Sequence, residues 1–524
     1  MKRDATEAGV ARAAAVSSAP TPVVAMGASP AVKSKTSPGG KAAATPAVET
    51  TAAPAAAWLQ TIAGRLGLVA AFTVLLAVTN AIAWPVVGLF LAVLSLLPQH
   101  RRTLLALATV AVVLVSPPVG VEQLAALGSE RGAAALASAW PVVVLAIIAF
   151  GCLFVELVRR RPKSLVGRRP VLVLLVLLTA MLVGGGSSLQ GPAWFVVTAS
   201  AMALGSYVWF FAYAASESRL RGAPPAVRQL GYWRPFWGFS NVPIGKGAAY
   251  LERVEARDAE QLAVSQLAGL RLMAWAAVLT FAMDGFRLAV YAPHGEQAGM
   301  LAELLFWLPA AGMPPIAAVL ESQVQGVPLP FATRWAAVVS EFMLTVLHMM
   351  TWGHAIIATC RMAGYNAAPN TDWALLSTSV AEFYNRFYFY FKELLATFFF
   401  YPTYLRYFRS RPKLRLFVAT FMAAGFGNFL FHFYRDSHEI FRLGFWDALV
   451  AYRVYGCYAA VLGVSIAVSQ MRLLARRREK PRGIRRVLAT AGVLFFYCLL
   501  GVLDVRTPHA LADYGRLYVS LFVP

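Results

Sequence analysis

The sequence predicts an all-α, polytopic integral membrane protein with about 11–13 transmembrane helices around a polar central cavity. Three observations carry this. Of 524 residues, 59% are apolar and 14% charged, with a mean hydropathy of +0.60; a soluble domain carries about 25% charged residues. Apolar runs recur near the ~20 residues that cross a bilayer as a helix. The 47 Lys and Arg against 25 Asp and Glu, a net charge of +22, gather where those runs end. Basic excess can also mark nucleic-acid binding, but confinement to span ends argues for a topology signal and against a nucleic-acid partner.

Residues 1–57 stand apart. They are built from Ala, Pro, Thr, Ser, Val and Gly, with Pro20, Pro22, Pro30, Pro38, Pro46 and Pro54 scattered through. Such a segment buries too little surface to offset its ordering entropy, so a disordered cytoplasmic tail is expected. No apolar h-region follows Lys2 and Arg3, so it does not read as a signal peptide.

Residues 58–524 form the multispan domain. Candidate spans are 62–79, 82–97, 103–119, 134–157, 170–185, 193–215, 264–283, 300–320, 333–357, 416–434, 446–470 and 487–503. The run from Leu66 to Leu97 is too long for one span, and Pro85 divides it by removing a helix hydrogen bond. Twenty-one positive charges lie in four clusters, at 101–102, 159–169, 406–415 and 472–486, with Glu479 the one acid inside them. Basic loops stay on the cytoplasmic side, so each pair of clusters must be separated by an even number of spans. Between the second and third clusters the candidates number five. Either a further pass lies between Thr371 and Tyr404, or one candidate is not a span.

The segment Ser379 to Phe408 is apolar and aromatic, yet it holds Glu382, Asn385, Arg386, Lys392 and Glu393. A charge at mid-bilayer costs about 2.5–3.5 kcal/mol on insertion scales. These groups therefore face a wet, protein-lined cavity in a partly re-entrant segment, or the segment is an interfacial helix with aromatic anchors. In the next span, Asn428, His432 and Asp436 recur every fourth residue and share one helix face. A histidine titrates near neutrality and suits a general base, with Asp436 fixing its tautomer; the alternative is a packed histidine bonded to a neighbouring carbonyl. Gly425 and Gly427 permit close approach of a helix or substrate.

Other polar residues are weaker candidates. His348 and His354 lie six apart on different faces, so they imply no common metal, and structural or cavity-lining roles are expected. Asp284 and Arg287 are expected to neutralise one another. His100, His294 and His509 fall in loops, and His438 is expected to be an exposed loop histidine. Cys152, Cys360, Cys457 and Cys498 show no C-x-x-C spacing and read as small buried hydrophobes, with no metal site. Gly245–Lys246–Gly247 lacks the rest of a P-loop. No soluble-enzyme signature appears, and no inverted repeat marks a transporter.

The arrangement resembles the membrane-bound O-acyltransferase family, especially bacterial members that acylate polysaccharides and wall polymers. Those proteins carry Phe-Trp-Arg-Arg-Trp-His, an aromatic stretch and Tyr-Ile-Pro-Leu. Here EFYNRFYFYFKELLATFFFYPTY is similar: Phe383, Arg386 and Pro402 match, and Tyr384 and Phe387 are aromatic replacements. A basic loop then leads into AAGFGNFLFHF, with Gly425 in place of the first glycine of the family's Gly-Leu-Trp-His-Gly. Upstream, YWRPFWGFSNVPIGKGAAYLERV and AVSQLAGLRLM resemble the family's Ala-Gly-Pro-Ile loop and amphipathic helix. The resemblance covers 232–460. It departs in two places: Tyr388 replaces the histidine of the Trp-His pair, and Asn428 occupies the catalytic-histidine position, with His432 one turn later.

The resemblance implies tilted helices around a polar tunnel in a bacterial inner membrane. An acyl thioester such as acyl-CoA would be the co-substrate, with no other cofactor, and a hydroxylated glycan or lipid the acceptor. His432 would take the acceptor's proton, with Asn428 and Asp436 beside it. Asn385, Arg386, Tyr388 and Lys392 would bind substrate, Arg386 and Lys392 through a phosphate of the acyl carrier. Two other readings stand beside it: a multispan transporter or glycan-export component, and a catalytically inactive acyltransferase-like membrane protein.

Overall fold

A computed structural model describes residues 57–79, 84–115, 130–185, 192–220, 222–233, 235–237, 242–291, 311–475, 481–505, 507 and 509–523. The tail expected at 1–57 lies outside these residues apart from Ala57, as does His294. The described chain is helical, and its one β-bridge joins Glu255 to Tyr365. Eight helices are long and apolar enough to cross a membrane, which makes this an all-α polytopic membrane protein. Two shorter apolar helices, Trp84–Leu96 and Pro170–Gly184, accompany them.

In chain order, the first half comprises α1 (Ile62–Thr79), α2 (Trp84–Leu96), α3 (Arg101–Val115), α4 (Glu130–Arg160), α5 (Pro170–Gly185) and α6 (Pro192–Ser218). Two short helices, α7 (Ala226–Trp233) and α8 (Ala248–Val254), lead to the paired long helices α9 (Ala259–Val290) and α11 (Phe331–Met362), with α10 (Ile316–Val324) between them. α9 and α11 share the most extensive helix contact of the bundle. Gly269 makes it possible, because a Cβ there would stand 2.8 Å from the Ala358 carbonyl oxygen.

Of candidate span 300–320, residues 300–310 lie outside the described residues, and Ile316–Leu320 begin α10, whose nine residues rise only about 13 Å. Among the described residues, four membrane helices (α5, α6, α9 and α11) lie between the second and third basic clusters, an even number. The candidate at 446–470 is corrected: α17 (Phe445–Ala451) is a separate short helix, and the span is α18 (Arg453–Ala475).

After α11 the chain turns back into the bundle as broken helix. α12 (Val380–Phe387) and α13 (Phe389–Leu395) lead through a π-helical turn, Ala396–Phe400, into α14 (Tyr401–Arg406). Inside the protein such a segment is stable only if its freed backbone groups find partners. They do. Phe389 N–H donates to Asn370 O at 2.9 Å and Asp372 N–H to Arg386 O at 2.8 Å. Thr371 Oγ1 donates to Phe387 O at 2.9 Å, and Arg361 Nε to Ala367 O at 2.8 Å. Tyr497 Oη donates to Val380 O at 2.9 Å, and Ala381 N–H to Ser469 Oγ at 3.2 Å. Gly364 packs against Arg101, and Glu393 pairs with Lys246 of the loop that caps that end, so both stretches lie toward the Arg101 end of the bundle, the arrangement expected of a re-entrant segment.

α15 (Pro412–Arg435) carries a second π turn, Met422–Gly427. α16 (Ser437–Leu443), α17, α18, α19 (Ile484–Gly501) and α20 (Leu511–Ser520) complete the fold. α15 and α18 run antiparallel, joined by Thr420 Oγ1 to Gln470 Oε1 at 2.6 Å. They touch at glycine: a Cβ on Gly463 would stand 2.8 Å from Gly425 N.

The re-entrant topology fixes sidedness. Cysteines placed at Gln99 and Ser410 will react with an impermeant thiol reagent from the same face of oriented vesicles, and one at exposed Trp446 from the opposite face. Labelling of positions 99 and 410 from opposite faces would refute the re-entrant segment.

Candidate active site

The site is built where α15 meets α18 and the re-entrant segment. On α15, Asn428 and His432 are one turn apart and point to the same neighbour, Tyr455 of α18. The Tyr455 hydroxyl donates to Asn428 Oδ1 at 3.2 Å, and its ring centroid is 4.9 Å from that of His432. Asn428 is 2% exposed. His432 is half-buried and held between Tyr455, its neighbour Phe431 and Phe391 of α13, whose ring lies 5.8 Å away nearly edge-on. An imidazole flanked by aromatic edges and faces has little rotational freedom and keeps an exposed flank.

Asp436 closes α15 one turn beyond. Its carboxylate accepts the Tyr452 hydroxyl and the Arg435 guanidinium, Nε at 2.9 Å and Nη2 at 3.3 Å. Asp436 is buried, and it is stabilised there by a bidentate partner and a third donor, as an ion in a low-dielectric interior requires. The three residues expected to share a face do so: Asn428, His432 and Asp436 all turn toward α18, against Tyr452 and Tyr455.

The expected substrate-binding residues divide. Tyr388 lies at the joint of α12 and α13, its ring 6.2 Å from Phe391 and 4.6 Å from Phe387. Asn385 is half-buried, and its Oδ1 has no hydrogen-bond partner among the described residues. Arg386 pairs with Glu382 at 3.0 Å and donates to Trp373 O at 3.3 Å, which ties it to the re-entrant loop. Lys392 lies over the Phe389 ring at 4.9 Å and pairs with Glu393 at 3.3 Å. It belongs to a second cluster with Lys246 and not to the His432 face.

That cluster helps to cap the Arg101 end of the bundle. Gly245, Lys246 and Gly247 all take positive φ (120°, 53° and 94°), and this elbow delivers Lys246 to Glu393. A Cβ on Gly247 would meet Glu217 Oε1 at 2.5 Å, so glycine is required there. Nearby, Arg101 is 4% exposed, 3.7 Å from Glu255, and donates to Ala256 O at 2.8 Å. Arg102 pairs with Glu255 at 2.8 Å and Glu252 at 3.2 Å. The bond to Glu255 raises the Arg102 guanidinium above its usual value. Burial pushes the neighbouring Tyr232 hydroxyl up to about 12 and the Tyr365 hydroxyl well above its usual range.

His348 and His354 stay on α11, with His348 6.4 Å from Trp352, and His438 pairs with Glu439 at 3.6 Å. Among the described residues no group of His, Cys, Asp and Glu could hold a metal ion, and the four cysteines are unpaired thiols. Sequence reading missed Tyr452, Tyr455 and Tyr458. Their signal was a three-residue spacing within AYRVYGCYAA, which reads as ordinary aromatic content of a span.

Compared with known protein families and with curated proteins, the chain matches none.

The Tyr452–Asp436 bond yields a measurable consequence. Tyr452→Phe removes one donor from a buried carboxylate and will lower stability by about 1.5–3 kcal/mol, read as a lower melting temperature of the purified protein. An unchanged melting temperature would show that the Tyr452 hydroxyl adds nothing to the stability of the buried Asp436 carboxylate.

Proposed function

We propose that this chain is an integral-membrane O-acyltransferase, similar to the membrane-bound O-acyltransferase family, with His432 as general base. It resides in a bacterial inner membrane with its N-terminus and basic loops in the cytoplasm. The observation that carries this reading is that the two stretches bearing the resemblance, distant in sequence, meet at one half-exposed imidazole: Phe391 of the re-entrant segment packs on His432, and Asn428 is held one turn away by Tyr455.

The chemistry follows from the side chains. The acceptor's hydroxyl oxygen attacks the thioester carbonyl carbon; the C–O bond forms and the C–S bond breaks. The hydroxyl proton passes to the His432 imidazole, which returns it to the departing thiolate, so ester and free thiol are released. The Asn428 amide positions the histidine or the carbonyl. In a water-poor setting such fixed dipoles act more strongly than in bulk solvent. The acceptor is a hydroxylated glycan or lipid and the donor an acyl thioester such as acyl-CoA.

His432→Ala will reduce ester formation and thiol release by at least about 10²-fold, the usual contribution of a general base, in protein that still inserts and melts normally. Unchanged acylation in this variant refutes the reading. In cells the variant will leave an exported but unacylated acceptor; a trapped, unexported one would mark a transport component.

A further inference from the structure

The first two helices enclose a space that the step above does not use. α1 and α2 follow one another with a short connection and run antiparallel. They touch where Gly88 meets Thr73: a Cβ on Gly88 would stand 2.7 Å from Thr73 Cγ2. Beside this contact lies a groove of about 680 Å³, walled by α1 from Leu66 to Val78 and by α2 from Trp84 to Ala92. Small residues make the room, Ala70 and Ala77 on α1 and Gly88 and Ala92 on α2. The lining has one hydroxyl, Thr73 Oγ1, and it already donates to Val69 O at 2.7 Å. The groove therefore offers little to water. It opens sideways, where Val74 is 66% exposed.

Its size suits a lipid chain. An apolar cavity of about 150 Å³ holds one benzene, so this one takes on the order of 25 carbons. The wall from Leu66 to Val78 rises about 18 Å, close to one leaflet of a hydrocarbon core about 30 Å thick. Toward the Ile62 end of the groove stands Arg65, one turn before Val69 and so on the lining face. Arg65 is half-buried. Its Nε is shielded from solvent with no hydrogen-bond partner, and no ion pair reaches the guanidinium among the described residues. This is the Arg101 end of the bundle, because α2 leads from Trp84 toward Arg101. Trp58 lies over Gly67 at the same level, its Cη2 3.4 Å from where a Cβ would stand, and is 54% exposed, as suits an indole at headgroup depth. An unpaired guanidinium at that depth is matched by a phosphate.

We propose that this is a binding site for one anionic phospholipid, with an acyl chain along the α1–α2 groove and the headgroup phosphate on Arg65. The site is independent of the acyl-transfer reading. The chain packs against both helices, and the phosphate accepts from the guanidinium's fork of N–H donors. A second protein helix would cover the groove with apolar side chains but leave Arg65 without an anion, so a lipid fits both halves of the site. A headgroup that carries its own ammonium offsets its phosphate, which favours the anionic lipid.

The test uses the full chain in nanodiscs. Phosphatidylglycerol and phosphatidylethanolamine, each with a diazirine at mid-chain, are supplied separately, and adducts are mapped after illumination. Phosphatidylglycerol adducts will concentrate on 66–78 and 84–92 over the exposed Leu145 and Leu153 of α4, and phosphatidylethanolamine adducts will do so less. Ala70→Phe with Ala77→Phe fills the groove and will remove that excess while the α4 adducts stay as they were. In native mass spectra, Arg65→Gln will lower affinity for phosphatidylglycerol by about fivefold. This second variant leaves the groove intact, so a misfolded first variant does not decide the matter. Adducts spread evenly over α1, α2 and α4, an affinity that Arg65→Gln leaves unchanged, or a dimer that the groove-filling pair dissociates overturns the proposal.

Discussion

The structure depends on a rule of the membrane interior: a backbone amide or carbonyl released from a helix must find another partner there, because water does not supply one. Residues 363–395 break their helix repeatedly, and each break is answered. Asn370 meets Phe389 through its carbonyl and Tyr390 through its side chain, the latter at 3.3 Å. Tyr250 accepts Ala368 N–H at 3.0 Å, and Tyr390 donates to Ala368 O at 2.8 Å. These bonds come from α11, from α8 and from the segment itself, so the re-entrant piece is clamped from several sides. Only because it is clamped do Tyr388 and Phe391 stand in a fixed place before α15.

The second constraint is closeness. Helices surrounded by lipid gain little from apolar burial and associate through tight packing at small residues. Gly425 against Gly463 brings α15 onto α18, and Gly427 receives Phe399, whose Cδ2 would stand 2.7 Å from a Cβ there. The aromatic contact between His432 and Tyr455 follows from these approaches. Charge is managed with similar economy. Arg101, which reads in sequence as a topology signal, is largely buried and bound to Glu255, while Arg159 and Arg160 share Glu156.

Much of this was legible in the sequence. Composition and run length gave the fold class, and helical spacing put Asn428, His432 and Asp436 on one face. The parity of the basic clusters showed that a pass was missing from the candidates or that one of them was not a span, although it could not say which. What stayed hidden depends on contacts between distant segments. Lys392 and Arg386 look alike in a line of letters, yet one is drawn to the Lys246 loop and the other to Trp373. Tyr455 matters because of what α15 places opposite it, and no local pattern encodes that.

The π turn at Met422–Gly427 has a consequence for how such sequences align. A π turn holds one residue more than an α turn can accommodate, and each residue of helix turns the axis by about 100°. Everything after it in α15 is therefore out of phase with everything before. A relative lacking that one residue would keep the helix, its hydropathy and its motif letters, while Asn428 and His432 swung away from Tyr455 toward another neighbour. A single-residue gap in this stretch is a change of facing, and sequences aligned without it will pair residues that point to different places.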